Sequence, residues 1–349
     1  MLFVRNYISN LRSIYHRPKG PYSSLKIALL SDGLTQASLE AEARVKNLTP
    51  SNYLDVLMNW KPDFVFVESA WQGYRNSWKY GIAAYPEFPD RTNAILQRML
   101  RAASDRGIPA IFWNKEDDVH YSRFVNSAKL FDFIYTVDEN CIAHYRNDVP
   151  GACHVGVLMF PVQPQFHYVD SRPNRRIGFS SFVGSYGKHV HPRRRHWQDM
   201  MFNVFSSSGL DIYDRNSGRK AEHYRYPDLP GLRVRPKVAY PVTAKLYRSY
   251  KYNLNVNTIE TSRTMYSRRL IEILAVGGVA VTTPSVAVER LFSNYCHIVT
   301  TKEDIESIAD MSDREYVIAV ERAHAGAAYV AENHTWSHRL AQIEDNTVF

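Results

Sequence analysis

Short apolar runs alternate with helix-like stretches along almost the whole chain. From residue 25, LKIALLSD is an apolar run ending in polar residues, and TQASLEAEARVKN after it has helical spacing. Asp55 to Trp60 reads as a short helix and PDFVFVES as a second apolar run. A helix over Thr92 to Arg106 precedes GIPAIFWNKED, and AKLFDFIYTVDEN precedes a helix at Cys141 to Arg146. Short β-branched or aromatic runs spaced by helices predict βαβ units and a parallel sheet.

The rhythm relaxes at VGVLMFPVQP, where Pro161 and Pro164 flank Gln163, and a polar stretch follows; the linker is expected there. Then the pattern restarts. RIGFSSFVGSYG reads as a strand ending in a glycine loop, RRRHWQDMMFNVFSSSG as a helix capped by Gly209, and LDIYDRN as a strand. An irregular Tyr- and Pro-rich stretch runs to Pro241, before the helix TAKLYRSY, the strand YNLNVNT, the helix SRRLIEILA with its Gly277-Gly278 turn, and the strand VAVTTPS. HIVTT and two further helices complete the series. The expected fold is therefore α/β, two Rossmann-like, doubly wound parallel-sheet domains facing a cleft. The boundaries are 1–165 and 166–325, with 326–349 a helical segment that could pack back on the first domain. A length of 349 residues agrees with two cores.

Composition narrows the partners. Net charge is +8 and the pI about 9.2, which suits a phosphate-bearing ligand, a nucleic acid or an anionic membrane surface. Cys141, Cys153 and Cys296 are an odd number without a CxxC, so neither a disulfide framework nor a zinc ribbon is expected, and a reducing cytoplasm fits. No run reaches membrane-spanning length, and no signal-peptide pattern opens the chain. Residues 1–24 can form a basic amphipathic helix, with Phe3, Tyr7, Leu11 and Ile14 on one face. Packing on its own domain is favoured for it over peripheral contact with a membrane.

In an open parallel sheet the ligand crevice lies at the carboxyl ends of the strands, so the strand tips carry the candidate chemistry. In the first half these tips are Ser31-Asp32-Gly33, Glu68-Ser69-Ala70-Trp71 and Trp113-Asn114-Lys115-Glu116-Asp117-Asp118-Val119-His120. Asp32, Glu68, Asp117 and His120 are the pool for activating an acceptor hydroxyl, and Trp71, Trp113, Lys115 and Glu116 are the acceptor-side set. The competing readings are that Asp32 caps a helix and that Lys115 pairs with Glu116 or Asp117. The histidines show no paired ligand spacing, so no metal site is expected.

In the second half, Gly184, Ser185 and Tyr186 form a glycine turn where amides can approach phosphate, and Asp214 with Arg215 stand at the next tip. Arg268 and Arg269 are the sharpest anomaly. They open a helix whose positive dipole end repels them, which predicts an anion there, and a diphosphate would accept both amides and guanidinium groups. Glu272, one turn on, suits a ribose diol. Its alternative is an i,i+4 salt bridge with Arg268, worth about 0.3–0.5 kcal/mol when exposed. Lys251, Asn257, Tyr266 and Ser267 complete the donor-side set.

The stretch NLNVNTIETSRTMYSRRLIEILAVGGVAVTTPS, with FVGSYG, HPRRR, LDIYDRN, VESAW, FWNKEDDVHYSRF and AKLFDFIYTVDENC, resembles GT-B glycosyltransferases, and more closely the CgeB-type family. The resemblance spans about residues 27–300. It implies a nucleoside-diphosphate sugar donor held mainly by the second domain, a hydroxyl-bearing acceptor (glycan, glycolipid or cell-surface polymer) held by the first, and no tightly bound cofactor or metal. It also implies diphosphate binding around Arg268-Arg269 and ribose binding by Glu272. Many relatives carry a second glutamate eight residues before that one; here the position is Thr264, which leaves donor-sugar recognition open. The rival readings are a transferase acting on modified DNA bases and a non-catalytic spore-coat or scaffold protein of the same fold.

Overall fold

A computed structural model describes residues 18–172 and 175–347. The expected amphipathic helix lies largely outside the described residues, since 1–17 are not among them.

The first sheet contains β1 (Lys26–Leu30), β2 (Arg44–Asn47), β3 (Phe64–Glu68), β4 (Ala110–Asn114), β5 (Phe133–Thr136) and β6 (His154–Val157), in the order β2-β1-β3-β4-β5-β6. Every pairing is parallel. Its crossover helices include α1 (Gly33–Glu42), α2 (Ala94–Ser104), α3 (Tyr121–Ala128) and α4 (Ile142–Asp148). All five residues of β3 are buried, as a strand covered on both faces requires, which is why FVFVE is uninterruptedly apolar up to its tip.

The second sheet contains β7 (Gly178–Gly184), β8 (Leu210–Asp214), β9 (Leu232–Pro236), β10 (Tyr250–Asn255), β11 (Ala280–Thr282) and β12 (His297–Ile298), in the order β12-β11-β10-β7-β8-β9. It too is wholly parallel. The helices are α5 (Pro192–Ser206), α6 (Tyr240–Ser249), α7 (Arg268–Ala275), α8 (Val286–Phe292), α9 (Lys302–Ala309) and α10 (Asp313–Asn333), with α11 (Trp336–Glu344) closing the chain. After α7 the chain reverses through Gly277 at φ +70°, and the Gly278 amide bonds to the Ile273 carbonyl at 3.0 Å. A β-carbon on Gly278 would stand 3.1 Å from Asn253 of β10, so the glycine lets the helix end lie against the sheet.

Two strands differ from the sequence reading. The tail of TQASLEAEARVKN is not helix but β2, and the Tyr- and Pro-rich stretch contains β9. Both are edge strands with exposed charged side chains, so they lack the apolar run that betrays a buried strand.

The chain crosses between the domains twice. Val162 in the first crossing forms a parallel bridge with Thr335 in the second. Helix α11 then lies on the first sheet: Trp336 is fully buried with its ring edge-on to Phe66 and Trp113, and Ser337 donates to Glu42 on α1. Arg339 and Gln342 donate to the carbonyls of Met159 and Val157, so the last helix also closes off the end of β6. Replacing Trp336 by Ala should leave a large cavity between this helix and the sheet. Loss of about 3–5 kcal/mol is expected, read as an earlier chemical-denaturation midpoint for the first domain.

Candidate functional site

Strands β7 and β10 are neighbours in the second sheet, but the chain runs outward from them in opposite directions, so a crevice opens at their carboxyl ends. Helix α7 starts in that crevice. Its first turn holds no acidic residue, and the Ser267 hydroxyl makes no cap hydrogen bond. The Ser267 amide is instead held by the Asn257 side chain at 3.1 Å, and Asn257 is fixed in turn by the Thr283 carbonyl at 2.8 Å. Asn257 is therefore buried and positions the helix start.

Arg269 occupies the crevice. Its Nε donates to the Val183 carbonyl at the end of β7 (2.5 Å) and its Nη1 to the Asn255 amide oxygen at the end of β10 (3.1 Å), while the guanidinium lies 4.4 Å from the Phe182 ring centroid. Gly184 leaves room for it: a β-carbon there would come within 2.7 Å of Arg269 Nη2. The side chain is buried and has no carboxylate partner among the described residues. Burial accordingly lowers its ionisation to about 10, with Arg194 and Arg215 adding like-charge repulsion.

Arg194 and Arg215 line the same cavity of about 320 Å³. Arg194 is in the first turn of α5, a second helix that begins with basic residues and no acid. Its only side-chain bond is a long one to the Ser185 carbonyl (3.4 Å), its Nε is buried without an acceptor, and burial lowers its ionisation. Arg215, at the tip of β8, is exposed and forms no ion pair among the described residues. Three guanidinium groups without a carboxylate thus converge at the carboxyl edge of one sheet, close to the amino ends of two helices. The cavity is lined further by Glu116, Tyr240, Tyr266, Ser267, Arg268 and Glu272.

The two arginines of the sequence anomaly have different fates. Arg268 Nε lies 3.2 Å from Glu272 Oε1, near enough for charge pairing but without hydrogen-bond alignment. Its Nη2 reaches Ser38 Oγ on α1 at 3.2 Å, so it spans the cleft. The i,i+4 pair is therefore formed, and Arg269 rather than Arg268 is the arginine lacking an acid. Glu272 is buried beside the cavity. Burial raises its carboxyl above the usual range, against the pull of Arg268, Arg215 and Arg269.

The first-domain tips form a tight polar network. Asp32 does not cap α1. Its two oxygens accept three consecutive amides, Trp71, Gln72 and Gly73, at 2.9–3.0 Å, and so pin the loop after β3. Glu68 is fully buried and accepts from the Asp32 amide, and burial raises its carboxyl despite Lys115 at 3.5 Å. Lys115 pairs at 2.5 Å with Glu116. Burial pushes Glu116 up, but Lys115 outweighs it and leaves this carboxylate below the usual range at the cavity wall. His120 is half-buried, edge-on to Trp71 at 5.0 Å between centroids, and burial keeps its imidazole neutral to lower pH than usual.

Other sequence candidates lie away from the cavity. Trp113 is a core residue whose indole donates to the Leu158 carbonyl, because strand alternation turns it toward α11. Asp117 is buried, accepting from Asn114, Thr136 and Tyr145 at 2.6–2.9 Å, so its oxygens are spent on structure. Lys251 belongs to the opposite end of β10, with its ammonium over the rings of Phe179, Tyr252 and Tyr316. Tyr186 turns into the second core and donates to Asp199, and Asp214 closes its own turn by accepting the Asn216 amide. Tyr266 lines the cavity with its ring, but its hydroxyl donates to the Phe160 carbonyl. Thr264 bonds the Val137 carbonyl and the Glu139 amide across the cleft. Arg194 was not among the candidates; the signal available was HPRRR, a second basic helix start.

Among the described residues no group of three or more His, Cys, Asp or Glu could hold a metal ion, and no helix is long and apolar enough to cross a membrane.

Residues 188–345 match a family model described as glycosyl transferase-like. No curated protein matches the sequence significantly. Among solved structures, T4 phage BGT in complex with UDP and Mn2+ is similar over 93% of this chain and 100% of its own, with a TM-score of 0.57 at 12% identity. A structure described as the DNA modifying enzyme beta-glucosyltransferase, with and without uridine diphosphoglucose, is similar over 92% of this chain and 99% of its own, with a TM-score of 0.55 at 13% identity. A glycosyltransferase from Rickettsia africae covers 93% and 98%, with a TM-score of 0.51 at 10% identity. The fold is the two-domain α/β arrangement of GT-B glycosyltransferases.

Burial raises the Asp117 carboxyl to about 7 from a reference of 3.8. The folded state therefore binds this proton more tightly than the unfolded chain, and its contribution to stability is complete below pH 4 and lost as pH rises through 7. Asp117→Asn should remove that component. Melting temperatures of the two proteins across pH 4–8 should diverge in slope, with the parent losing more on going up; parallel curves would contradict the assignment.

Proposed function

We propose that the protein is a glycosyltransferase that moves a sugar from a nucleoside-diphosphate donor to a hydroxyl acceptor, within the CgeB-type branch that its sequence resembles. The observation that carries this reading is the trio without a carboxylate: Arg269, buried, and Arg194, half-buried, at two helix starts, and Arg215, exposed at the tip of β8 beside them. Burying a cation unpaired costs free energy, and a pyrophosphate would offset that cost with charge-assisted hydrogen bonds. The family match over the second domain and the GT-B fold support the same reading.

In this mechanism the diphosphate lies against the first turn of α7, with Arg269 beneath it and Arg194 and Arg215 at its flanks. Negative charge grows on the leaving diphosphate as the glycosidic bond breaks, and fixed guanidinium groups stabilise it without reorganising. Glu272 anchors the ribose, held at the right height by Arg268. The acceptor approaches from the first domain, where His120 and Glu116 are the groups at the cleft able to take its proton. The imidazole is the better base, because Glu116 is committed to Lys115 and held at low basicity. Asp32 acts by pinning the loop that carries Trp71, whose ring abuts His120.

A thermal-shift panel of UDP, GDP, TDP and CDP with their sugar derivatives tests the donor site. At least one diphosphate should raise the melting temperature at submillimolar concentration, and the matching monophosphate should do so less. Arg194→Gln and Arg215→Gln should each weaken that nucleotide by about 10- to 100-fold, the loss of one charge-assisted contact of about 1.5–3 kcal/mol. A panel with no stabilising diphosphate would overturn the proposal.

A further inference from the structure

The loops that follow β7 and β8 leave neighbouring parallel strands at the same edge of the second sheet, and they are fastened together. The Lys188 amide donates to the His223 carbonyl at 2.8 Å, and the His189 and His223 rings approach to 4.0 Å between centroids. Arg195 donates to the Lys188 carbonyl, and Arg225 to the Lys220 carbonyl at 3.3 Å. The joined surface is strongly cationic. Residues 185–195 and 215–226 contain Lys188, Arg193, Arg194, Arg195, Arg215, Arg219, Lys220 and Arg225, against the single acid Glu222. Of these cations only Arg193 makes an ion pair among the described residues, with Glu260. Rings are interleaved: Arg219 lies 4.7 Å from the Tyr224 centroid, and Tyr224 packs edge-on to His223.

A second cationic segment leaves the carboxyl edge of the first sheet. Its loop after β3, residues 69–93, is pinned by Asp32 and holds Arg75, Asn76 and Tyr80 at φ of 51°, 63° and 69°, conformations that side-chain-bearing residues rarely adopt. Its three cations all stack on rings rather than pair with acids. Arg75 sits over Tyr74 and Lys79 over Tyr80, and Arg91 lies 3.8 Å from both the Tyr80 and the Phe88 centroids. Trp71 of this loop packs edge-on to His120, which follows β4, so both stand at the carboxyl edge of the first sheet.

We propose that the acceptor of this transferase is a nucleic acid, whose phosphate backbone runs along the cleft between these two cationic, aromatic-lined lips. The inference rests on the transferase reading above and names its acceptor class. Cations released from carboxylates on both sides of a groove match a phosphate polymer that enters it lengthwise, and rings between them suit bases or sugars. A lipid headgroup layer would leave the rings interleaved with these cations without bases to stack on.

The test uses the full-length protein, a fluorescent 20-base-pair DNA duplex and its single strand, and vesicles of phosphatidylglycerol in phosphatidylcholine. The duplex or the strand should bind at 50 mM salt and weaken steeply as salt rises. The triple variant Lys188→Glu, Arg219→Glu, Lys220→Glu should bind at least tenfold more weakly, with a salt dependence shallower by about two to three contacts. The triple variant Arg101→Glu, Arg106→Glu, Lys129→Glu changes net charge equally but at exposed positions near the amino edge of the first sheet, and should bind within threefold of the parent. Equal losses in both variants would reduce the binding to net charge and overturn the proposal. So would no binding of either oligonucleotide, or binding of vesicles alone. Both variants should keep the nucleotide-induced rise in melting temperature. If that rise is absent from the parent, the donor reading fails while oligonucleotide binding still decides this one.

Discussion

A buried guanidinium without a counter-ion is the constraint around which the second domain is arranged. Arg269 takes two acceptors from the ends of β7 and β10, a carbonyl and an amide oxygen, and neither neutralises it. Only adjacent parallel strands whose crossovers diverge bring two such ends together with a helix start between them. The lack of a side chain at Gly184 follows, since any β-carbon would collide with the guanidinium. So does the buried Asn257, which fixes the start of α7 from behind instead of capping it from within the cleft. Each of these features raises the free energy of the empty site slightly and lowers that of an anion bound in it.

The two domains divide the work in a way their hydrogen bonds make visible. At the first-domain tips the carboxylates are tied to partners, Asp32 to three amides, Glu68 and Glu116 to Lys115 and Asp117 to three donors, with Glu68 Oε2 left buried without one. Such a network holds its shape, which suits a surface that must orient a hydroxyl and one imidazole. At the second-domain tips the charged groups are left open, with Arg194, Arg215 and Arg269 lacking acids. Electrostatic stabilisation of a leaving group needs that openness, because a guanidinium already paired to a carboxylate has little field left to offer.

Much of the fold was legible from periodicity, because strands buried on both faces are continuous apolar runs. Edge strands escape that logic. In β2 the residues alternate between exposed and half-buried, and in β9 they are mostly exposed, so RVKN passed for the end of a helix and LRVRP for loop. The dipole argument singled out the helix SRRLIEILA, whose start lines the cavity, but could not assign its arginines. Which of two adjacent side chains takes the i,i+4 acid and which enters the crevice depends on the direction each leaves the helix. Arg268 points toward Glu272 and α1, and Arg269, about 100° further round, points under the sheet edge. The same helix-start reasoning applied to HPRRR would have reached Arg194. Trp113 and Asp117 were drawn in by proximity in sequence to a tip, although a strand presents alternate residues to opposite sides and a buried carboxylate with three donors is already satisfied.

The connection between the domains limits how the site can open. Two chain crossings run side by side, tied by the Val162–Thr335 bridge, with His334 accepting from Arg339 and contacting the Tyr266 hydroxyl just behind α7. Helix α11 returns to the first sheet and buries Trp336 there, so neither crossing can lengthen without exposing core. Across the cleft the domains touch through Arg268 to Ser38, Thr264 to Val137 and the Arg263–Glu139 pair, and Tyr240 packs with Ala41 of α1 in a small buried apolar cluster, so the closed mouth is held by packing as well as by polar contacts.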